Sequence, residues 1–173
     1  MATSNIEDFE KGNAAFVEAF DQDTTGALAI PPQRKALVLA CMDARLHPEK
    51  VLGLEIGDAH VVRNAGGRAS ADALRSIAIS QRLLGTQEVV VIHHTDCGML
   101  TFKDDDIRSK IRDELGDSAG DAADGIAFLP FSDLEASVKA DIRIIKEAAI
   151  VDGDVPVHGF VYDVTTGRLN PVN

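Results

Sequence analysis

Three side chains in this sequence have the types and spacing needed to hold a metal ion. Cys41 and Cys97 are the two cysteines of the chain, and His94 precedes Cys97 by three positions. Thiolates and a neutral imidazole suit zinc, and three protein ligands leave the fourth tetrahedral position for water. The short spacing lets His94 and Cys97 reach one ion from a tight turn. A Cys, His, Cys set is therefore typical of a catalytic zinc site rather than a closed structural one.

Spacing alone leaves other interpretations of these residues open. Two buried structural cysteines, a disulfide or a redox pair would also account for the thiols, although no Cys-x-x-Cys motif is present. His93 points to the opposite face of a strand from His94, so we expect His93 to pack or to support the ligands from behind. The remaining histidines fit surface or satisfied core positions better than metal ligation, and they are His47, His60 and His158.

The acidic and glycine-rich segments favour structural roles. Asp104-Asp105-Asp106 is typical of a helix N-terminus, where carboxylates interact favourably with the helix dipole. A second set of acidic residues consists of Asp117, Asp121 and Asp124. Their spacing is too wide for an EF-hand loop and indicates a solvated face. Gly66-Gly67 lies in neither known phosphate-loop motif and predicts a plain turn.

Two apolar strands place the candidate ligands at one edge of a predicted sheet. Residues ~36–40 form a wholly apolar run, typical of a parallel strand buried on both faces, and Cys41 follows it directly. The strongest β pattern, at ~88–92, ends just before the segment from His93 to Cys97. Ligands of open parallel sheets bind beyond the carboxyl ends of the strands. If these two strands are neighbours, both thiols and a histidine converge there.

The remaining pattern indicates an α/β fold. Strands alternate with helices, which predicts one domain over residues 1–173 with a mostly parallel central sheet flanked by helices. Ser4 and Glu7 have the spacing of a capping box and open an N-terminal helical arm at about 4–20. The segment from Gly116 to Gly125 is expected to be an acidic loop. Further helices are predicted from 48, over 70–85, ~103–115 and ~132–149, with strands at 59–62 and ~157–163.

Composition excludes several classes of function. The chain has 173 residues, with 17 Lys and Arg against 28 Asp and Glu, for a net charge of −11. Nucleic acids and anionic membranes are therefore not expected partners, because binding to phosphates depends on basic side chains. The opening residues lack the pattern of a signal peptide, and no apolar run reaches the roughly 20 residues that span a bilayer. We expect a cytoplasmic protein with reduced thiols.

Two paired motifs resemble the β-class carbonic anhydrase family. They match C-x-D-x-R and H-x-x-C in that order, and they are Cys41-Met42-Asp43-Ala44-Arg45 and His94-Thr95-Asp96-Cys97-Gly98. Segments between them also look like the family, namely Arg63-Asn64-Ala65-Gly66 and Leu74-Arg75-Ser76. The similarity is close over roughly residues 35–100, and elsewhere it extends to the order of elements.

The resemblance implies a zinc ion held by Cys41, His94 and Cys97. It also implies an Asp43–Arg45 pair in which the planar guanidinium holds the carboxylate through two bonds. In the family this aspartate accepts a hydrogen bond from the zinc-bound water in one state and ligates zinc in another. Without the family, a surface ion pair between Asp43 and Arg45 would be the simpler interpretation.

The resemblance leaves the substrate open between carbon dioxide and its sulfur analogues. Met99 follows Gly98 where the family usually has a second glycine, and short members with this pattern include carbonyl sulfide and carbon disulfide hydrolases as well as anhydrases. We therefore expect a zinc hydroxide enzyme acting on CO2 or on carbonyl sulfide (COS). Met99 and Leu100 are candidates for an apolar wall beside the metal.

A homodimer or a higher homo-oligomer is also expected, because the family places the N-terminal arm across a partner subunit. The predicted arm is rich in aromatic side chains, which are Phe9, Phe16 and Phe20. Packing of the arm on its own sheet would produce the same spacing. Two other functions remain as alternatives: a zinc- or redox-sensing binding module that uses Cys41 and Cys97, and an inactive scaffold that keeps the fold.

Overall fold

Six helices and five strands make up the part of the chain that the structure, a computed structural model, describes, residues 5–173. The helices are α1 (Ile6–Ala19), α2 (Pro48–Leu52), α3 (Ala71–Leu84), α4 (Asp104–Leu115), α5 (Asp117–Asp124) and α6 (Leu134–Glu147). The strands are β1 (Ala36–Cys41), β2 (Ala59–Asn64), β3 (Glu88–His94), β4 (Val157–Tyr162) and β5 (Leu169–Val172). Short 3-10 turns cover Ala65–Gly67 and Gly98–Leu100. Within the described range, no helix has the length and apolar character to cross a membrane.

The strands form a single sheet with the order β2-β1-β3-β4-β5. β1 to β4 run parallel to one another, and β5 runs antiparallel to its single neighbour, β4. The predicted α/β class, with a mostly parallel sheet flanked by helices, is confirmed. After β1 the chain passes to β2 on one side and then returns to β3 on the other. The carboxyl ends of β1 and β3 therefore form a topological switch point, the position at which such sheets bind ligands.

The core lies on both faces of the sheet, as the apolar run of β1 predicts. All six residues of β1 are buried. Leu37 and Leu39 pack on one face in a cluster that includes Ile77 of α3 and Ile145 of α6. On the opposite face, the alternate β1 residues pack with the two cysteines, in a cluster that includes Val38, Ala40, Leu46, Ile92 and Met99. Since each face is covered, β1 and β3 are fixed in register and their ends are held rigidly.

The chain divides into two compact units, one ending at Ile30 and the other spanning Pro31–Asn173. The second unit contains the whole sheet. The first contains α1, which forms as predicted, although its N-cap is Asn5 and the predicted capping residue Ser4 lies outside the described residues. No residue of α1 is buried, and Phe9 and Phe16 remain 65% and 52% exposed. The single-domain organisation over 1–173 stays a prediction.

The prediction of a loop from Gly116 to Gly125 is wrong, because Asp117–Asp124 forms α5. Its three aspartates follow helical spacing and surround the guanidinium of Arg112 on α4. The nearest carboxylate oxygens of Asp121 and Asp124 lie at 3.0 Å and that of Asp117 at 3.5 Å from the guanidinium nitrogens. The positive charge of Arg112 thus offsets the repulsion among the three carboxylates on this face of α5. The prediction that these aspartates form a solvated face is confirmed, since their side chains stay largely exposed.

Strand ends also extend further than predicted. β2 continues through Arg63 and Asn64, and β3 continues through His94. β5 was not expected, because Pro171 and a length of four residues weaken its pattern. Proline is tolerated there since β5 is an edge strand that pairs only with β4.

Candidate metal centre

The switch point brings Cys41, His94 and Cys97 together. β1 pairs directly with β3, so Cys41 at the end of one strand lies beside His94 at the end of the other. The three potential ligand atoms lie within 4.8 Å of one another, and all three residues are buried. The two sulfur atoms are 4.0 Å apart and both thiols are free, so the two cysteines do not form a disulfide in this structure. The geometry is that of three ligands around one ion.

The orientation of the His94 ring also fits metal binding. Its Nδ1 lies 2.8 Å from the Thr95 carbonyl oxygen, which can only accept, so Nδ1 carries the proton and donates. In the neutral ring Nε2 then has a free lone pair. Nε2 is buried and has no hydrogen-bond partner among the described residues. A buried, unpartnered acceptor facing two thiols is an arrangement that a bound cation satisfies.

The two thiols polarise one another. The hydrogen bond with the Cys97 thiol lowers the pKa of Cys41, against the effect of burial. The same contact, together with burial, raises the pKa of Cys97 above its usual range. The contact therefore favours a thiolate on one of the two sulfurs. Cysteine ligates metals as the thiolate, so metal binding at this site is coupled to proton release.

Asp43 and Arg45 form the predicted pair through two parallel bonds. Arg45 Nε donates to Oδ1 of Asp43 at 3.0 Å, and Nη2 donates to Oδ2 at 2.8 Å. The Arg45 backbone N–H adds a third bond, to Oδ1, at 2.9 Å. These bonds hold the pKa of Asp43 far below its usual range, so it is a carboxylate. Oδ2 of Asp43 lies 3.8 Å from Nε2 of His94, which places this carboxylate beside the ligand cluster.

Two further charged residues at the site were not singled out from the sequence. Asp96 contacts the edge of Arg45 that Asp43 leaves free, with Arg45 Nη1 donating to its Oδ2 at 2.7 Å. Arg63 donates from Nε to the Cys41 carbonyl at 3.0 Å and from Nη2 to the Asp43 carbonyl at 2.7 Å. Both lie inside segments that resemble the family, and this resemblance is the sequence feature that could have marked them as site residues. Their roles depend on contacts across the sheet that a sequence does not display.

His93 supports the centre from behind, as predicted. It is fully buried and lies 2.7 Å from Ser137 Oγ and 3.1 Å from Asp141 Oδ2, both on α6. Arg68 Nε donates to the same Asp141 oxygen at 2.7 Å. The buried carboxylate of Asp141 thus joins β3 and the segment after the 65–67 turn to one helix. His47, His60 and His158 take no part in the ligand cluster, as expected.

The glycine pair after β2 forms a turn that packs closely against the ends of β1 and β3. Gly67 has φ +68°, and a Cβ there would lie 2.9 Å from both the Cys41 nitrogen and the Ile92 oxygen. A side chain would therefore push the turn away from the ends of β1 and β3. Gly66, with φ +81°, would bring a Cβ to 2.9 Å from Met99. The predicted turn is confirmed, and its lack of side chains lets it form one wall of the site.

A pocket of about 400 Å³ opens onto Cys41, Cys97 and Asp43. Its remaining wall is mainly apolar and includes Met42, Ala65, Met99 and Phe102. Met99 therefore lies where the sequence predicted an apolar wall. Leu100 does not line this pocket and belongs to the adjacent cavity. The difference arises because the 3-10 turn at Gly98–Leu100 points successive side chains in different directions.

Comparisons with known proteins agree with this geometry. The carbonic anhydrase family model matches residues 36–127, which include every residue of the ligand cluster. Beta-carbonic anhydrase 1 of Mycobacterium tuberculosis is 42% identical over 166 residues, covering 96% of each chain. The chain belongs to the β-class carbonic anhydrase family.

Other members of the family extend the comparison. The solved structure of the carbonic anhydrase from Glaciozyma antarctica has a TM-score of 0.93 and 42% identity, covering 99% of this chain and 100% of that chain. A carbon disulfide hydrolase of Saccharolobus solfataricus is 35% identical over 161 positions, covering 81% of this chain and 78% of that protein. The chain is thus a β-carbonic anhydrase-type enzyme with a Cys2His metal site.

Proposed function

We propose that this enzyme binds zinc through Cys41, His94 and Cys97 and hydrates carbon dioxide to bicarbonate. The observation that carries the proposal is the convergence of these ligands beside the Asp43–Arg45 pair, next to a small pocket that Cys41, Cys97 and Asp43 line. Two sulfur ligands and one imidazole favour zinc over magnesium or calcium, which prefer oxygen. When bound, zinc supplies a Lewis acid that makes water nucleophilic near neutral pH.

The chain's own residues orient the reactants. Asp43 offers a carboxylate acceptor beside the ligands, and Arg45 keeps both of its oxygens fixed. A fixed acceptor holds a donor water in one direction, which lowers the entropic cost of attack on a carbon atom. Asp43 is ionised throughout the neutral range, since its pKa lies below the ordinary aspartate value, so the acceptor is always present there. The apolar walls of the pocket suit a small uncharged substrate.

Carbonyl sulfide is the second candidate substrate, and the lining of the pocket favours it. Sulfur is larger and a poorer hydrogen-bond acceptor than oxygen, so a COS enzyme needs an apolar wall with few donors. Met99 and Phe102 supply such a wall, and methionine adapts its shape to a neighbouring sulfur atom. Attack on COS would give thiocarbonate, which collapses to CO2 and hydrogen sulfide. We place CO2 first because the beta-carbonic anhydrase compared above is 42% identical to this chain, whereas the carbon disulfide hydrolase is 35% identical.

A side-by-side assay tests the substrate assignment. CO2 hydration and hydrogen sulfide release from COS are measured on one zinc-quantified preparation of the wild type and of Met99→Gln. The proposal expects CO2 hydration by the wild type, and, if COS is also a substrate, a larger loss for COS than for CO2 in Met99→Gln. A wild type that releases no hydrogen sulfide is a carbonic anhydrase only. Absence of CO2 hydration by zinc-loaded protein contradicts the proposal.

We also propose a cytoplasmic homodimer. A reducing compartment keeps the two ligand thiols available for metal. Apolar side chains exposed on α1 support self-association, and they include Phe9, Phe16 and Val17.

A further inference from the structure

Arg45 carries more contacts than its pair with Asp43 requires. Its Nη1 donates to Oδ2 of Asp96 at 2.7 Å, and its Nη2 donates to the Asp96 carbonyl oxygen at 3.0 Å. Asp43 occupies Nε and the other side of Nη2. The guanidinium is therefore held along two edges by two aspartates that come from the ends of different strands.

The backbone of Asp96 is shaped for this contact. Its φ is +54°, in the left-handed region that non-glycine residues seldom adopt, although aspartate and asparagine tolerate it best. This conformation lets the side chain and the carbonyl of a single residue both face Arg45. Asp96 itself lines no part of the 400 Å³ pocket. Its side chain contacts the site through Arg45.

We propose that Asp96 is a positioning residue: it fixes the Arg45 guanidinium from the edge opposite Asp43 and so keeps the Asp43 carboxylate in one orientation. The physical need for it follows from exposure. The Arg45 side chain is 47% exposed, and a single exposed ion pair competes poorly with water and with the entropy of a long side chain. The Asp96 carboxylate is itself 79% exposed, but the Asp96 carbonyl adds a backbone acceptor, and the two contacts together restrict the guanidinium along its other edge.

The kinetic part of the test rests on the proposed function. Asp96→Gly removes the carboxylate, and glycine accepts the left-handed backbone without strain. We expect kcat for CO2 hydration to fall roughly tenfold while KM and bound zinc stay close to the wild type, because orientation rather than substrate contact is lost. Asp96→Asn keeps the backbone conformation and a neutral acceptor, so its kcat should lie between those of the wild type and Asp96→Gly.

A double-mutant cycle separates positioning from a general structural effect. In an Arg45→Ala background, Asp96→Gly should cause no further loss, since the group that Asp96 acts on is gone. The matched control is Asp72→Asn, which removes an exposed carboxylate from a similar pair with Arg75, at 2.8 Å on α3. The control should keep the wild-type kcat. Independent, multiplying losses from Asp96→Gly and Arg45→Ala would overturn the proposal, as would wild-type kcat in Asp96→Gly.

A measurement that needs no turnover distinguishes this proposal from the proposed function. Nitrogen-15 NMR of the Arg45 guanidinium reports rotation of its Nη groups, which should be slow in the wild type and faster in Asp96→Gly and Asp96→Asn. Unchanged rotation in both variants would overturn the positioning role even if the wild type is active. An inactive wild type with this NMR difference would overturn the proposed function and leave Asp96 as the anchor of Arg45.

Discussion

Arg45 does not act mainly by keeping Asp43 charged. It lowers the pKa of Asp43, yet an aspartate without any partner is also ionised at neutral pH, since its ordinary pKa is about 4. What Arg45 adds is direction, through two parallel bonds to the carboxylate. The loss of this residue should therefore affect turnover while leaving the charge of the site's acceptor unchanged.

We accordingly expect Arg45→Ala to bind zinc normally and to lose on the order of 10²-fold in kcat for CO2 hydration. Stopped-flow assays at several pH values, with zinc measured on the same samples, check this. Arg75→Ala is a matched control, because Arg75 is also a largely exposed arginine paired with an aspartate. If Arg45→Ala kept near-normal turnover over roughly pH 6–9, the pair would be a surface ion pair and no more.

Helix α6 stabilises the metal site through one buried carboxylate, Asp141. Burial alone would raise the pKa of Asp141, but hydrogen bonds from His93 and Arg68 outweigh it and leave the pKa below its usual value. A folded-state pKa below the unfolded value of about 4 stabilises the fold above that pH. This contribution disappears as the pH falls through the folded-state pKa.

Asp141→Asn should therefore lower the free energy of unfolding by about 3–5 kcal/mol at pH 7, because Arg68 would remain buried without its counter-charge. The difference from the wild type should shrink as the pH falls below about 4, where the carboxyl of the unfolded chain becomes protonated, and should be smallest below the folded-state pKa. Urea denaturation across this pH range measures both effects, with Asp72→Asn as an exposed control. A difference that does not vary with pH would show that the buried charge is not the cause.

Elements with strong local patterns were predictable, and elements made by distant contacts were not. The apolar run of β1 and the position of Cys41 after it predicted both the strand and the metal edge. α5 escaped prediction because its aspartates need Arg112 of α4 to become compatible with a helix. The contacts of Asp96 and Arg63 escaped for the same reason, since each joins the ends of two different strands.

At the scale of the whole molecule, charge and apolar surface lead to different expectations. CO2 and COS are uncharged, so the net charge of −11 neither attracts nor repels them. The apolar surface of α1 does carry an expectation, because Phe9 and Phe16 are both more than half exposed. Aromatic side chains are enriched in the buried centres of protein interfaces.

We expect a homodimer at micromolar concentration by sedimentation velocity, and a shift toward monomer in the double variant Phe9→Ser, Phe16→Ser. Leu115→Ser is the control, since Leu115 is an apolar side chain on α4 that is 72% exposed. The control should sediment as the wild type does. A monomeric wild type would reject the dimer.

The central claim is that one metal ion at Cys41, His94 and Cys97 makes this chain a carbonic anhydrase. Its most direct test is a titration of metal-free protein with zinc, in which bound zinc and CO2 hydration are followed together. We expect activity to rise in proportion to bound zinc and to reach a plateau at one ion per chain, and we expect Cys97→Ser neither to retain zinc nor to gain activity. Protein that binds one zinc per chain and hydrates no CO2, or that is fully active before zinc is added, would contradict it.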